Sequence, residues 1–213
     1  MLTLRPMQFA DLALKSEKDP GVKLNPDGSV KADYFCEATA SRTGPLVYLL
    51  DMYRGQIPFP EQVKRLGLEH NQWKSSKIGI EDVAYQWALG QAAWDKGLPV
   101  VPVPVPGDKV FKAQLATPHF ETGRVRLRGV KENGILVPHP ALRRFVREAL
   151  DFPFGDYDDT VDAVVGVVLM CTNEEFIGKE YHGGVSRGFG VVVAGGTGRR
   201  HNIDPYDVFR SYY

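Results

Sequence analysis

Residues 151–168 read DFPFGDYDDTVDAVVGVV, which puts Asp158, Asp159 and Asp162 directly before an apolar run. At about 100° per residue, Val161, Val164, Val165 and Val168 line one stripe of a helix that the rest of the chain must cover. Asp158 and Asp162 fall one turn apart at the edge of that stripe, and Asp159 points further out. Carboxylates beside a core are costly unless something neutralises them. Two readings of the cluster stay open. It is a helix cap favoured by the helix dipole, or it is one arm of a cation site.

The chain has 213 residues, 43% of them hydrophobic, enough for one good-sized domain with or without appendages. No apolar stretch approaches the roughly 20 residues of a membrane-spanning helix, and residues 1–19 contain no long apolar segment of a secretory signal. The expected setting is therefore cytoplasmic and reducing. Cys36 and Cys171 match no metal spacing. His70, His119, His139, His182 and His201 form no HxxxH or HxH pair. With 26 basic and 26 acidic residues the net charge is zero. That speaks against a uniformly basic coat for nucleic acid. It leaves room for a nuclease, whose acidic metal site offsets a basic groove. Positive charge concentrates between 124 and 147, in Arg124, Arg126, Arg128, Lys131, Arg143, Arg144 and Arg147, against Glu132 and Glu148.

Along the chain, 7–13 reads as a short strand carrying Asp11 at its end, and 14–29 as loop and turns. Residues 30–39 and 45–55 flank a break with Gly44 and suggest a hairpin. Pro58 and Pro60 open a helix ending near 73. A strand at 76–82 leads to a helix at 83–97. Residues 98–105 begin as a buried strand, but their prolines force an edge. Residues 108–123 are helical up to Pro118. RVRLRG, 124–129, alternates like a strand and puts Arg124, Arg126 and Arg128 on one face. Residues 140–150 form a helix with an N-terminal proline, and the opening segment forms the last helix. Trp73, Trp87 and Trp94 read as core or helix-packing positions. Beyond about 173 the chain turns glycine-rich. This order predicts an α/β fold, a mixed central sheet with an antiparallel meander followed by parallel strands, flanked by helices.

The acids then acquire a pattern. Asp11 ends the first strand, and Glu81, followed by Asp82, ends the strand after the first long helix. Strand ends in sheet folds gather functional groups. Closely packed carboxylates repel one another unless protonated or bound to a cation. Mg²⁺ and Mn²⁺ take such oxygen ligands, and two ions about 4 Å apart can drive phosphodiester cleavage. Taken singly, Asp11 reads better as an ordinary loop acid, and Glu81 is as readily a strand-end acid with no role as a ligand.

Taken together, FADLALK, ADYFCEAT, VYLLDMYRGQIPFPEQV, IGIEDVAYQWAL, GDKVFKAQLATPHFETGRVRL and ALDFPFGDYDDTVDAVV resemble the C-terminal nuclease domain of tailed-bacteriophage large terminase subunits, in the family's order over roughly residues 7–170. The resemblance implies a ribonuclease H-like fold of the resolvase–integrase group. It also implies endonuclease action on concatemeric double-stranded viral DNA with two Mg²⁺ or Mn²⁺ ions. By that resemblance Asp11, Glu81 and the pair Asp158 and Asp159 are the catalytic metal ligands, with the direct ligand of the pair left open, and Asp162 is a ligand or a support. Lys109, Lys112, Arg124, Arg126 and Arg128 become candidate phosphate contacts. The implied partners are a terminase ATPase domain, a small terminase subunit and a portal or prohead, in the host cytoplasm.

No GxxxxGK[ST] loop is present, since GGTGRR at 195–200 lacks the lysine and hydroxyl at the required places. The expectation is a nuclease part without its motor, excised or encoded separately. Residues 1–173 would form the nuclease domain and 174–213 a glycine-rich extension. A junction-selective nuclease and a non-catalytic assembly module are the alternative readings.

Overall fold

The computed structural model describes residues 5–12, 23–24, 30–31, 34–81, 87–105 and 107–173. All of them belong to the first of the chain's two units, Met1–Tyr181. The glycine-rich extension, Asp82 and the start of the 83–97 helix lie outside the described residues, as does the Trp87 side chain.

Ten strands and five α-helices are described: β1 Pro6–Asp11, β2 Lys23–Leu24, β3 Val30–Lys31, β4 Phe35–Thr43, β5 Leu46–Gly55, α1 Phe59–Trp73, β6 Lys77–Glu81, α2 Trp87–Trp94, β7 Val100–Val103, α3 Lys109–Glu121, β8 Val125–Leu127, β9 Gly129–Glu132, β10 Ile135–Pro138, α4 Arg143–Asp151 and α5 Asp159–Thr172. The main sheet has the order β7-β6-β1-β4-β5-β8. β4 runs antiparallel to both β1 and β5, while β6, β7 and β8 join in parallel. This is the expected mixed sheet, with proline-containing β7 at one edge.

The sheet separates two cores. On one face, Cys36, Ala38 and Ala40 of β4 pack with Phe9 against α5. On the other, Phe35, Ile78 and Ile80 pack against Val63 and Leu66 of α1 and Leu89 and Ala93 of α2. Polar residues share this second face, because Glu37, Thr39 and Ser41 alternate with the first set and are also buried.

Four local expectations need correction. The stretch 30–39 is not one strand: β3 pairs with β2, and β4 starts at Phe35. Helix α3 runs through Pro118 to Glu121. A proline in the last turn removes one helical amide bond, and Thr122 closes the turn by donating from its amide and hydroxyl to the Pro118 carbonyl. Residues 129–138 form the β9–β10 hairpin, turning at Asn133 and Gly134, whose φ angles are +51° and +81°. Asn-Gly is the strongest short hairpin signal, and it was present in the sequence. Finally, α5 is buried on nearly every side rather than along one stripe, with Ala163, Gly166, Val167, Leu169, Met170 and Cys171 enclosed alongside the four valines. It lies across β1 and β4 and is covered by α3 and α4. Trp94, at the end of α2, is 41% exposed, which of its two expected placements excludes the core and leaves helix packing. Among the described residues, no helix is long and apolar enough to cross a membrane.

Candidate functional site

Asp11 is the last residue of β1 and Glu81 the last of β6. The two strands are parallel neighbours, with Ala10 opposite Ile80. Their carboxylates therefore emerge side by side at one end of the sheet. Helix α5 crosses above them at short range because two glycines admit it. A Cβ on Gly166 would collide with the Phe9 ring, and one on Gly79 would collide with Met170 Sδ. Asp162 precedes Gly166 by one turn, so this close approach carries it to the strand ends. Asp11, Glu81, Asp162 and Lys112 line one small cleft over Phe9, Val165 and Gly166.

The electrostatics follow from burial. Asp11 is pushed up to about 8 by desolvation, then by the neighbouring charges of Asp162 and Glu81, with Lys109 opposing. Asp162 is also raised by burial, against the pull of Lys109. Two lysines of α3 supply the counter-charge. Lys112 Nζ donates to Glu81 Oε1. Lys109 Nζ lies 2.5 Å from Asp158 Oδ1 and 3.2 Å from Asp162 Oδ2. Burial works against the Lys109 ammonium, but its bonds to the two aspartates hold its pKa above the usual lysine value.

Asp159 takes a different direction from the one expected. Its side chain is 23% exposed, less than the 31% of Asp158, and it turns onto Arg54 at 3.1 Å. Asp158 occupies the N-cap position of α5 but makes no side-chain cap bond. That bond comes from another helix: Glu148 of α4 accepts from the Thr160 amide at 3.0 Å and from the Thr160 hydroxyl. In the sequence Glu148 stood out only as an acid among arginines. Its signal was helical spacing, three residues after buried Phe145.

Arg124, Arg126 and Arg128 are exposed, and they stand away from the carboxylates. Edge strand β8 is three strands from β1, about 14 Å sideways. It pairs with Val47–Leu49 at the opposite end of β5 from Arg54, about 17 Å along the strand. Arg128 also rests over the Trp73 ring, 5.8 Å from its centroid. The structure thus brings together Asp11, Glu81, Asp162, Asp158, Lys109 and Lys112, and separates the β8 arginines from them.

Among the described residues no three His, Cys, Asp or Glu side chains converge closely enough to hold one ion. Lysines occupy acceptor oxygens of Glu81, Asp158 and Asp162 instead. The donor chemistry nevertheless fits a hard divalent cation. The cleft offers carboxylate oxygens, and the buried Asp11 carboxyl meets net negative charge. The nearby Cys36 thiol is pushed far up by burial, then by Asp159 and Asp11, and is not a nucleophile.

No protein-family model and no curated protein matches the sequence. Solved structures do match in fold. The large terminase nuclease from thermophilic phage G20c, with bound zinc, is 15% identical over 78% of this chain and 81% of that one, with a TM-score of 0.54. The human cytomegalovirus terminase nuclease domain, manganese-soaked and inhibitor-bound, is 11% identical over 80% and 84%, with a TM-score of 0.50. The large terminase of a second thermophilic bacteriophage is 10% identical over 78% of this chain, which spans 39% of that protein, with a TM-score of 0.50. The chain has the ribonuclease H-like mixed-sheet fold of large terminase nuclease domains.

Proposed function

We propose that this protein is a divalent-metal-dependent endonuclease acting on double-stranded DNA, the nuclease part of a viral terminase that cuts concatemeric genomes during packaging. The observation that carries the reading is the meeting of Asp11, Glu81 and Asp162, from two adjacent parallel strand ends and the first turns of α5, in one cleft. Asp11, Glu81 and Asp162 line one cleft without converging on a single point, so holding the metal would draw them together, with Asp158 beside them through Lys109.

Bound Mg²⁺ or Mn²⁺, as one ion or a pair, supplies Lewis acidity at a phosphate oxygen and lowers the pKa of a coordinated water. The chain's own residues prepare the place. Phe9 and Val165 keep one side of the cleft dry, which strengthens every charge interaction inside it. Lys109 and Lys112 balance the carboxylates and on this reading would turn to a DNA phosphate. On this reading residues 1–173 are the nuclease domain and 174–213 an extension. An ATPase motor, a small terminase subunit and a portal would be its partners in the host cytoplasm.

The test is nicking of supercoiled plasmid with Mn²⁺ by wild type, Asp11→Asn, Glu81→Gln and Asp162→Asn. Wild type should cut, and each variant should lose at least about a hundredfold. Cutting by all three variants at the wild-type rate would remove the site.

A further inference from the structure

Asp11, Cys36 and Arg54 lie opposite one another across β1, β4 and β5. They share the sheet face under α5, with Arg54 about 10 Å from Asp11 at two strand spacings. Arg54 is 12% exposed and touches two carboxylates: Asp159 at 3.1 Å through a terminal guanidinium nitrogen, and Glu148 at 3.6 Å through Nε. Its guanidinium sits 3.2 Å from the Tyr34 ring centroid and 4.8 Å from that of Tyr157. Glu148 is 5% exposed and also takes Arg144 Nε at 2.7 Å, besides capping α5 at Thr160. Two arginines and two carboxylates thus form a charge-balanced cluster around the start of the helix, with no need of a further cation.

We propose that Arg54 is the positioning residue of the carboxylate site. It holds Asp159 and Glu148 so that the first turn of α5 is set in rotation and Asp162 faces Asp11. This rests on the nuclease reading above. The helical period supplies the coupling. Residues three apart differ by about 60° around the axis, so pinning Asp159 over β5 turns Asp162 toward β1. Asp159 is therefore a tether, and the metal set is Asp11, Glu81 and Asp162. Arginine suits the role because its planar fork serves two carboxylates while stacking on aromatic rings.

The test compares Arg54→Met, Arg54→Lys, Asp159→Asn, Arg54→Met/Asp159→Asn and Asp162→Asn. Mn²⁺ binding is read by calorimetry, and amide hydrogen exchange is read at Thr160–Ala163. Arg54→Met should weaken Mn²⁺ binding by about tenfold, the lower end of the range for losing a direct partner of a metal ligand, because Arg54 acts on Asp162 only through the turn of α5, and should speed exchange in that turn. Arg54→Lys should fall between it and wild type in both readouts, which also serves if the methionine variant does not fold. Adding Asp159→Asn to Arg54→Met should cost nothing further. Wild-type Mn²⁺ affinity in both Arg54 variants would overturn the proposal. So would complete loss of Mn²⁺ binding in Asp159→Asn, matching Asp162→Asn, with exchange unchanged. If wild type binds no Mn²⁺, the nuclease reading falls. The exchange rates then decide alone, and unaltered exchange in Arg54→Met or Arg54→Lys rejects the tether.

Discussion

Lys112 of α3 donates to Glu81 at the end of β6, with both side chains less than one-fifth exposed. The ammonium occupies an oxygen that a divalent cation would use. Lys112→Met should therefore tighten Mn²⁺ binding by about tenfold or more, because a competing positive charge is gone. The same change should lower the melting temperature in EDTA, since Glu81 loses its partner in a partly buried place, at a cost of about 1–3 kcal/mol. Weaker Mn²⁺ binding in the variant would make Lys112 a support of the site and not a competitor.

Asp11 gives the metal-free protein a pH signature. Its carboxyl has a folded-state pKa of about 8, against 3.8 without the fold. Between these values the folded chain binds more protons than the unfolded one. The associated stability is full below the unfolded value and is lost as pH rises through the folded value. The melting temperature in EDTA should fall from pH 5 to pH 8.5. Asp11→Asn should flatten that fall and melt above wild type at pH 8.5. A wild-type curve that rises over this range would contradict the buried placement of Asp11.

Glu37 lies on the opposite face of the sheet and is 1% exposed, with no hydrogen bond to either carboxylate oxygen among the described residues. Burial, then the charge of Glu69, hold its pKa well above the usual value, against the nearby Arg65. The sign is the same as for Asp11. Glu37→Gln should match wild type within about 1 kcal/mol at pH 6 and exceed it in urea denaturation at pH 9. Greater loss at pH 9 than at pH 6 would show that the ionised form is the stabilising one.

Gly166 lets α5 settle against Phe9. Gly166→Ala should cost about 1–3 kcal/mol of stability through overpacking. It should also weaken Mn²⁺ binding at temperatures where the variant stays folded, because Asp162 is one turn away. Unchanged Mn²⁺ affinity would mean that the spacing of α5 over β1 does not set the site.

The β8 arginines test the path of DNA. Arg124→Ala/Arg126→Ala should leave Mn²⁺ affinity unchanged, given their distance from the carboxylates. If they bind phosphates, duplex affinity should fall for every sequence, and its log–log salt slope should shrink by about 0.9 for each phosphate no longer neutralised. An unaltered slope would take DNA off this edge.

The sequence by itself determined the order of strands and helices, the burial of Val161, Val164, Val165 and Val168, and the acids at the ends of β1 and β6. These follow from side-chain period and from the local chemistry of turns, which a short window contains. The β9–β10 turn at Asn133–Gly134 was equally local. Tertiary structure decided what the acids and the polar row of β4 do. Glu37, Thr39 and Ser41 alternate as a solvated strand face would, yet all three are buried, with Arg65 and Glu69 of α1 against Glu37 and Thr39. Asp158, Asp159 and Asp162 are alike in sequence, yet one meets Lys109, one meets Arg54 and one lines the cleft beside Asp11. Arg54 stands 105 residues before Asp159. A carboxylate's role depends on which charges share its low-dielectric surroundings, and only the folded chain brings those charges within reach.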